Sequence, residues 1–299
     1  MSIPFTKMQG AGNDFVVIDG REINRDWSAM AVQVCNRHLG IGCDSLIILL
    51  KSDKADFGMR TWDTDGSEAE TCGNGIRCVA RYVLEKGLIN PDIEELTIET
   101  VAAVNRITFE KDKGRIKMFW VNMSQPRLKD SEIPVDLSKQ NGNVSSINDL
   151  LTCSLEVDSY PITLNFVSMG NPHAVYFTKE PVSSFPMERL GRLIENLPIF
   201  PERVNFEVAR IIDDTHIEAR VWERGVGETQ ACGSGACAIT VASKLNAYTN
   251  DRVFIQLPGG TLEGIWNGQG DIVLGGPAES VFEGVWPEKV IEDENSKTS

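Results

Sequence analysis

Two short cysteine-glycine motifs, "CGNG" at 72–75 and "CGSG" at 232–235, stand 160 residues apart in the chain. Each motif ends a region of strand-like runs and opens a segment with the pattern of a helix. One instance would be a weak signal, but two matching turns, one in each half, indicate a duplicated domain. The repeat therefore predicts two similar units, each of which supplies one thiol.

Three segments have the pattern of helices. After "CGNG", apolar residues recur with the spacing of one helical face: Ile76, Val79, Ala80, Val83 and Leu84. After "CGSG", small and apolar residues continue almost all round to Ala242, which is typical of a buried helix. Residues 26–37 form the third segment, and Asp26 is its expected N-cap.

Short β-rich runs separated by turn residues fill most of the remaining chain. Strands are predicted at 15–19, 45–50, 57–62, 95–100 and 105–110, with hairpin turns at 113–114, 213–215, 258–260 and near 268. Residues 136–149 are predicted as an exposed loop and 292–299 as a flexible tail. The chain is thus expected to hold many short strands and few helices.

Composition excludes several classes of function. Of 299 residues, 43 are acidic and 29 basic, and the net charge of −14 argues against broad binding of nucleic acids or anionic membranes. The longest apolar runs have the length of strands, far short of a membrane span. The N-terminal residues lack the pattern of a secretory signal, so a cytoplasmic location is expected. Seven cysteines, an odd number, predict free thiols rather than a disulfide framework.

A cysteine at a helix N-terminus meets unpaired backbone N–H groups and the positive end of the helix dipole. Both favour the thiolate, so lowered pKa values are expected for Cys72 and Cys232. The same amides can hold a carboxylate. Two such turns facing each other suit the inversion of a carbon centre without a cofactor, with a base on one face and an acid on the other. His173 and Glu223 are candidates to help each thiol change its protonation state.

The residues closely resemble the diaminopimelate epimerase family over nearly the whole chain. The matching motifs are "KMQGAGNDF" (7–15), "RHLGIGCDSLI" (37–47), "DGSEAETCGNGIRCVARY" (65–82), "GNPHAV" (170–175), "FPERVN" (200–205) and "WERGVGETQACGSGACA" (222–238). This family interconverts LL- and meso-diaminopimelate, without a cofactor or a metal, for lysine and peptidoglycan synthesis. The resemblance implies a small-molecule substrate and leaves a homodimer open.

The resemblance also implies an α+β fold of two pseudo-symmetric domains, each a curved mixed sheet around a central helix, with the active site in the cleft. The first domain would comprise 1–122 and 278–291, and the second 123–277. The last strand, about 272–286, would return to the first domain. Segments near 119–124 and 274–278 are expected to act as hinges when the domains close on the substrate.

Residue roles follow from the resemblance in the same way. Cys72 and Cys232 would be the base and acid pair, served by His173 and Glu223 respectively. Backbone amides would hold the reacting carboxylate, from Gly73, Asn74, Gly233 and Ser234. The rest of the substrate would be bound by Asn13, Asn171, Asn205, Glu223 and Arg224. Three positions depart from the family pattern, namely Cys43, Ser45 and Asp63. Ser45 and Asp63 are expected to take part in substrate binding, so their departure bears on substrate choice.

Other interpretations remain open at this point. A racemase of the same fold could act on another amino acid, such as histidine or proline, and Ser45 and Asp63 motivate this alternative. A redox sensor or a binding module could use the two thiols only for disulfide exchange. The remaining cysteines are expected to be core or spectator thiols: Cys35, Cys43, Cys78, Cys153 and Cys237. The spacing within the pairs Cys72/Cys78 and Cys232/Cys237 does not favour a zinc site.

Overall fold

A computed structural model describes residues 2–69, 72–112, 115–139 and 142–287 of the chain. Within these ranges it contains four α-helices, α1 (Trp27–Val34), α2 (Gly73–Glu85), α3 (Met187–Glu195) and α4 (Gly233–Leu245). The strands in the first half are β1 (Ile3–Gly10), β2 (Asn13–Asp19), β3 (Ser45–Leu50), β4 (Phe57–Asp63), β5 (Glu68–Ala69), β6 (Glu95–Glu99), β7 (Val104–Asp112) and β8 (Arg115–Asn122). Those that follow are β9 (Asn143–Ile147), β10 (Leu150–Val157), β11 (Tyr160–Ser168), β12 (Pro172–Phe177), β13 (Asn205–Ile211), β14 (His216–Glu223), β15 (Gly227–Thr229), β16 (Arg252–Leu257), β17 (Gly260–Ile265), β18 (Val273–Gly276) and β19 (Glu279–Trp286).

The strands form one hydrogen-bonded mixed sheet that runs through both halves of the chain. In the first half the neighbours are β19, β1, β2, β3, β4, β6, β7 and β8, in that order. In the second half they are β9, β10, β11, β12, β13, β14, β16, β17 and β18. The halves join where β8 pairs antiparallel with β18. The two segments expected to act as hinges thus lie side by side at this junction.

The duplication predicted from the cysteine motifs is visible in the pattern of strand pairing. Each half contains two parallel strand pairs. They are β2–β3 and β4–β6 in the first half, and β12–β13 and β14–β16 in the second. A short antiparallel strand precedes each helix, β5 before α2 and β15 before α4. This architecture confirms the predicted α+β class. β19 pairs with β1 at the other end of the chain, as expected of a returning strand, and the domain boundaries stay a prediction.

The helices after the two motifs are as the sequence predicted. The predicted face of α2 is buried at Ile76, Val79, Ala80 and Val83, and it packs into the core of the first half. Every residue of α4 from Gly235 to Ser243 is buried, which matches its small and apolar composition. Each helix therefore lies inside the curve of its own half of the sheet and is fixed there by apolar contacts.

Other predictions were met in part. Asp26 caps α1 by accepting a hydrogen bond from the backbone N–H of Ala29 at 3.0 Å, although the helix ends at Val34, earlier than expected. Part of the predicted loop at 136–149 is a strand, β9, whose side chains are all exposed. The helix α3 was not predicted. The turn at 113–114 and the tail at 292–299 lie outside the described residues. In the described part of the chain, every helix is too short or too polar to cross a membrane.

Candidate active site

The two cysteine turns meet in one cleft. Cys72 is the N-cap of α2 and Cys232 the N-cap of α4. The turns touch closely: a Cβ atom added to Gly233 would lie 3.7 Å from the Cα atom of Gly73. The side chain of Asn74 also donates a hydrogen bond across the junction to the carbonyl of Ala231 at 3.2 Å. A cleft of about 450 Å³ opens at this point, and both cysteines line it.

The Cys72 thiol is partly exposed in the wall of the cleft. The backbone N–H of Gly75 donates to its sulfur at 3.4 Å, as expected for an N-cap, and the side-chain oxygen of Asn13 lies 3.8 Å away. Burial nevertheless raises the pKa of Cys72 to about 12, because desolvation of the thiolate outweighs the stabilising amide. The expectation of a lowered pKa was therefore wrong. The helix terminus reduces the effect of burial but does not reverse it.

The Cys232 thiol is buried, at 6% exposure, and its neighbours are polar. The hydroxyl of Ser234 lies 3.4 Å from its sulfur. Burial raises the pKa of Cys232 well above its ordinary value, and the nearby negative charge of Glu223 raises it further. The expectation of a lowered pKa was wrong here too, since the closed surroundings again dominate over the helix N-terminus.

Glu223 lies at the end of β14, beside the Cys232 thiol. Its carboxyl accepts a hydrogen bond from the Thr229 hydroxyl at 2.5 Å. Desolvation raises the pKa of Glu223, so the carboxyl holds a proton to higher pH than a solvated glutamate does. The raised pKa suits Glu223 to the proton-exchange role for which the sequence made it a candidate.

A chain of side-chain hydrogen bonds holds Asn13 and Asn74 on the first-half wall of the cleft. Asn13 donates to Asp44 at 2.7 Å, and its side-chain oxygen accepts from Asn74 at 3.2 Å. The oxygen of Asn74 in turn accepts from Arg77 at 2.6 Å. Arg77 is fully buried and also donates to the carbonyl of Pro277 at 3.2 Å. The sequence did not assign Arg77 this task of fixing the first turn of α2.

The second-half wall carries Asn171 and Arg224, both predicted to bind the substrate. Asn205 was also predicted to bind the substrate, but it is buried and is not one of the described residues that line the cleft. It donates to the carbonyl of Pro172 at 3.0 Å and accepts from the backbone N–H of Arg224 at 3.0 Å. Asn205 therefore holds the segments that bear Asn171 and Arg224 in place.

Ser45 and Asp63, the two positions that depart from the family pattern, are brought together on neighbouring strands. The Ser45 hydroxyl donates to the Asp63 carboxyl at 2.8 Å. Neither belongs to the described residues that line the cleft. Burial raises the pKa of Asp63. The pair lies near enough to Cys72 for the charge of Asp63 to raise the pKa of that thiol.

His173 is fully buried on β12, and both of its ring nitrogens are occupied. Nδ1 lies 2.7 Å from an oxygen of Glu207, and Nε2 lies 3.0 Å from the side-chain oxygen of Asn171. Within the described residues no hydrogen bond joins His173 to Cys72, and its assignment to that thiol stays a prediction. Glu207 was missed by the sequence analysis. The available signal was a carboxylate flanked by apolar residues within a strand-like run, "FEVA".

The other cysteines are buried away from the cleft, at positions 35, 43, 78, 153 and 237. The sulfurs of Cys35 and Cys43 lie 3.4 Å apart in a separate apolar core. Across the described ranges, no group of three or more histidine, cysteine or acidic side chains is arranged to hold a metal ion.

Comparison with known proteins relates this arrangement to one family. The family model described as diaminopimelate epimerase matches residues 5–128 and 165–281. The diaminopimelate epimerase of Acetivibrio thermocellus is 42% identical over 282 residues, which cover 94% of this chain and 97% of that protein.

Two solved structures share the fold at much lower identity. A Bacillus anthracis phenazine biosynthesis protein of the PhzF family has a TM-score of 0.69 at 16% identity, covering 96% of this chain and all 100% of its own. A protein described as a probable proline racemase from Agrobacterium radiobacter K84, solved with bound carbonate, has a TM-score of 0.67 at 16% identity, covering 94% of this chain and 92% of its own. Both support the fold alone. On the family match and the 42% identity, the chain belongs to the diaminopimelate epimerase family and is an isomerase of the amino-acid epimerase type.

Proposed function

We propose that this protein interconverts LL- and meso-diaminopimelate by proton transfer between Cys72, the substrate α-carbon and Cys232. The observation that carries the proposal is the meeting of the two cysteine turns in one cleft, each thiol at the N-terminus of its own helix. Membership of the family, and a relative that carries this activity in its name, support the choice of substrate.

The reaction needs one ionised and one protonated sulfur. The thiolate removes the α-proton from one face of the carbon, and the opposite thiol delivers a proton to the other face. The two sulfurs thereby exchange protonation states, and the carbon inverts. Burial raises the pKa of both thiols, so a thiolate formed in this cleft is a stronger base than one in water. The ammonium on the substrate's α-carbon supplies a cation beside it.

The carbanion that forms between the two steps spreads its charge onto the α-carboxylate. The first amides of a helix have no partner within the helix, and two helices begin at this cleft. The amides of Gly73, Asn74, Gly233 and Ser234 therefore form a cradle for that carboxylate, with two helix dipoles aligned toward it. Their positions are set before the substrate arrives, so little reorganisation is needed during the reaction.

The remaining residues divide between proton exchange and substrate binding. Glu223, beside Cys232, returns that thiol to its starting protonation state after each turnover. Asn13, Asn171 and Arg224 bind the distal amino-acid end, and Asn205 supports the latter two from behind. Ser45 and Asp63 are not among the described residues that line the cleft, so we assign them an indirect effect on which distal group is accepted.

Exchange of the α-hydrogen with solvent deuterium, compared across diaminopimelate, histidine, proline and lysine, tests the proposal. We expect incorporation into diaminopimelate, lost in Cys72→Ala and Cys232→Ala. Exchange on proline or histidine, with none on diaminopimelate, would favour the racemase alternative instead. The fold shared with a probable proline racemase makes that comparison informative.

A further inference from the structure

The turn between β14 and β15, residues 223–227, brings two residues of the proposed reaction to the cleft from the protein surface. Glu223 ends β14, Arg224 follows it, and both line the cleft. Gly225 and Val226 come next and are exposed, Val226 to 71%. Exposed residues supply little buried apolar contact, so the turn depends on other segments to keep its two cleft residues in place.

Helix α3 packs directly against this turn. A Cβ atom added to Gly191, in the middle of the helix, would lie 2.8 Å from the ring of Trp222, the residue before the turn. The helix connects the parallel strands β12 and β13. Its last residue is Glu195, which is only 5% exposed. A buried carboxylate therefore lies where α3 meets the β14–β15 turn.

The carboxylate of Glu195 accepts hydrogen bonds from three donors. They are the indole N–H of Trp222 at 2.7 Å, the backbone N–H of Gly225 at 2.8 Å and the guanidinium of Arg203 at 3.2 Å. All three groups can only donate, so the direction of each bond follows from the donor itself. Trp222 and Gly225 stand immediately before and after the two cleft residues. One carboxylate thus ties both ends of that two-residue segment to α3.

The location of Glu195 is unfavourable for the helix that carries it. A buried carboxylate is costly to desolvate, and the last residue of a helix lies at the negative end of the helix dipole. Arg203 offsets only part of this cost, because its side chain is 53% exposed and water screens the attraction. The three hydrogen bonds all leave the helix. The carboxylate therefore contributes to the segments that it holds and not to α3 itself.

The first half of the molecule holds the corresponding turn in a simpler way. There α1 connects the parallel strands β2 and β3, and its Ser28 hydroxyl donates to the carbonyl of Gly66 at 2.6 Å, in the turn between β4 and β5. The two turns match, since Gly66 donates its N–H to the carbonyl of Asp63 as Val226 does to that of Glu223. Both halves use the helix between their parallel strands, but the second uses a carboxylate with three donors where the first uses one hydroxyl.

We propose that Glu195 is a positioning residue, which holds the β14–β15 turn against α3 and thereby sets where Glu223 and Arg224 lie in the cleft. Two further contacts complete the placement of Arg224. Its backbone N–H donates to Asn205 at 3.0 Å, and its guanidinium donates to the carbonyl of Glu202 at 3.1 Å. The hold on the turn is a property of the fold, and only its catalytic consequence rests on the proposed function.

Hydrogen–deuterium exchange of the free protein, followed by mass spectrometry, tests the hold on the turn. Glu195→Ala should speed exchange in the peptide 222–229 at least about tenfold, because the donors on both sides of the turn lose their common acceptor. Glu195→Gln keeps one acceptor oxygen and should give a smaller increase, which also covers a failure of the alanine variant to fold. Glu263→Ala removes another buried glutamate, paired with Arg252 on β16, and as the matched control should leave this peptide unchanged. Unchanged exchange in the Glu195 variants overturns the proposal.

Steady-state kinetics test the catalytic consequence. Glu195→Ala should raise KM for diaminopimelate about tenfold through the displaced Arg224, and lower kcat about tenfold through Glu223. Added to Arg224→Ala it should raise KM no further, whereas added to Asn13→Ala, on the opposite wall, it should keep its full effect. Equal rises in both backgrounds would indicate a general loosening of the cleft and overturn the proposal. Faster exchange in 222–229 with unchanged kcat and KM would support the hold on the turn and place the failure in the proposed function.

Discussion

The two halves of the molecule present a thiol from the same scaffold but surround it with different chemistry. In both halves a helix begins at the cysteine, and an acidic residue stands at the end of a strand nine residues before it, Asp63 in one and Glu223 in the other. Behind Cys72 the positions are apolar, whereas behind Cys232 they hold the pair of His173 and Glu207. A symmetrical fold therefore carries an asymmetric pair of acids and bases.

The scaffold and the proton chemistry are therefore separable features of this fold. Cys72 is partly exposed, and a backbone amide is its main hydrogen-bond donor. Cys232 is buried, and besides the backbone N–H of Gly235 it has two polar side-chain neighbours, the Ser234 hydroxyl and the Glu223 carboxyl. The proposed reaction needs one thiol and one thiolate at a time, and these unequal surroundings would set which sulfur ionises more readily.

The largest effect is expected when either sulfur is removed. Cys72→Ala and Cys232→Ala should each lower kcat/KM by at least about 10²–10⁴-fold, the usual loss of an acid-base group, because inversion needs both faces of the carbon. Steady-state kinetics in both directions measure this loss. Near-normal turnover in either variant would show that one half suffices and would remove the basis of the comparison.

The next effect concerns the carboxyl beside Cys232. Glu223→Gln should lower kcat by about a hundredfold, since an amide cannot exchange the proton. Burial raises the pKa of Glu223 above its ordinary 4.5, so the folded state binds more protons than the unfolded state above that pH. Stability of the wild type therefore falls as pH rises from 4.5 through the raised pKa. In denaturant unfolding from pH 4 to 8, the stability of Glu223→Gln relative to wild type should increase as pH rises. A stability difference between the two proteins that does not change with pH would contradict the assignment.

Giving the second half the apolar character of the first isolates the role of the buried pair. The double variant His173→Leu with Glu207→Leu should leave the free energy of unfolding nearly unchanged or raise it, because both members of a buried hydrogen-bonded pair are then replaced by apolar residues. Glu207→Leu alone should lower it by about 1–3 kcal/mol, because Nδ1 of the buried His173 ring then lacks its partner. Activity of the double variant should still fall about tenfold, because Asn171, which lines the cleft, loses its hydrogen-bond partner on the His173 ring and is held less precisely. Full activity in the double variant would show that the pair contributes only to packing.

The smallest effects are expected at the two equivalent glycines. A methyl group at Gly75 meets flexible carbon atoms of Ile47 and Met59 at 2.9 and 3.0 Å, whereas one at Gly235 meets a carboxylate oxygen of Glu207 at 2.9 Å. Gly75→Ala should change stability by no more than about 1 kcal/mol, because the gain in helix propensity offsets the contact. Gly235→Ala should cost a further few-fold in kcat by moving Glu207 off His173. Equal rates in the two variants would argue that the halves are not different at this point.

Local patterns predicted the local structure well. The spacing of apolar residues located α2, and the small residues after Cys232 located α4, because these signals depend only on neighbours in sequence. The helix α3 was missed because Pro186 precedes it and Gly191 interrupts its middle. That glycine is required by packing: an added Cβ atom would lie 2.8 Å from the Trp222 ring. The strand β9 was missed because all its residues are exposed and show no alternation.

The site was predicted as a set of residues, but its energetics were not. The helix N-terminus alone suggested lowered thiol pKa values, and the burial that raises them comes from the packing of residues distant in sequence around each cysteine. Glu207 meets His173 across 34 residues of sequence, through a parallel strand pairing that no local pattern encodes. Residue types at a turn can therefore indicate chemistry, while their proton affinities depend on long-range packing.

In the proposed reaction, hydrogen enters and leaves one carbon through two different sulfurs. The most direct measurement is the fate of the α-hydrogen when LL-diaminopimelate is converted in deuterium oxide and the reaction is stopped at low conversion. We predict that meso product carries deuterium at the inverted carbon from the first turnovers, while unreacted LL substrate keeps its hydrogen. Product that retains the substrate's own hydrogen at that carbon would mean that a single group serves both faces, and would contradict the account.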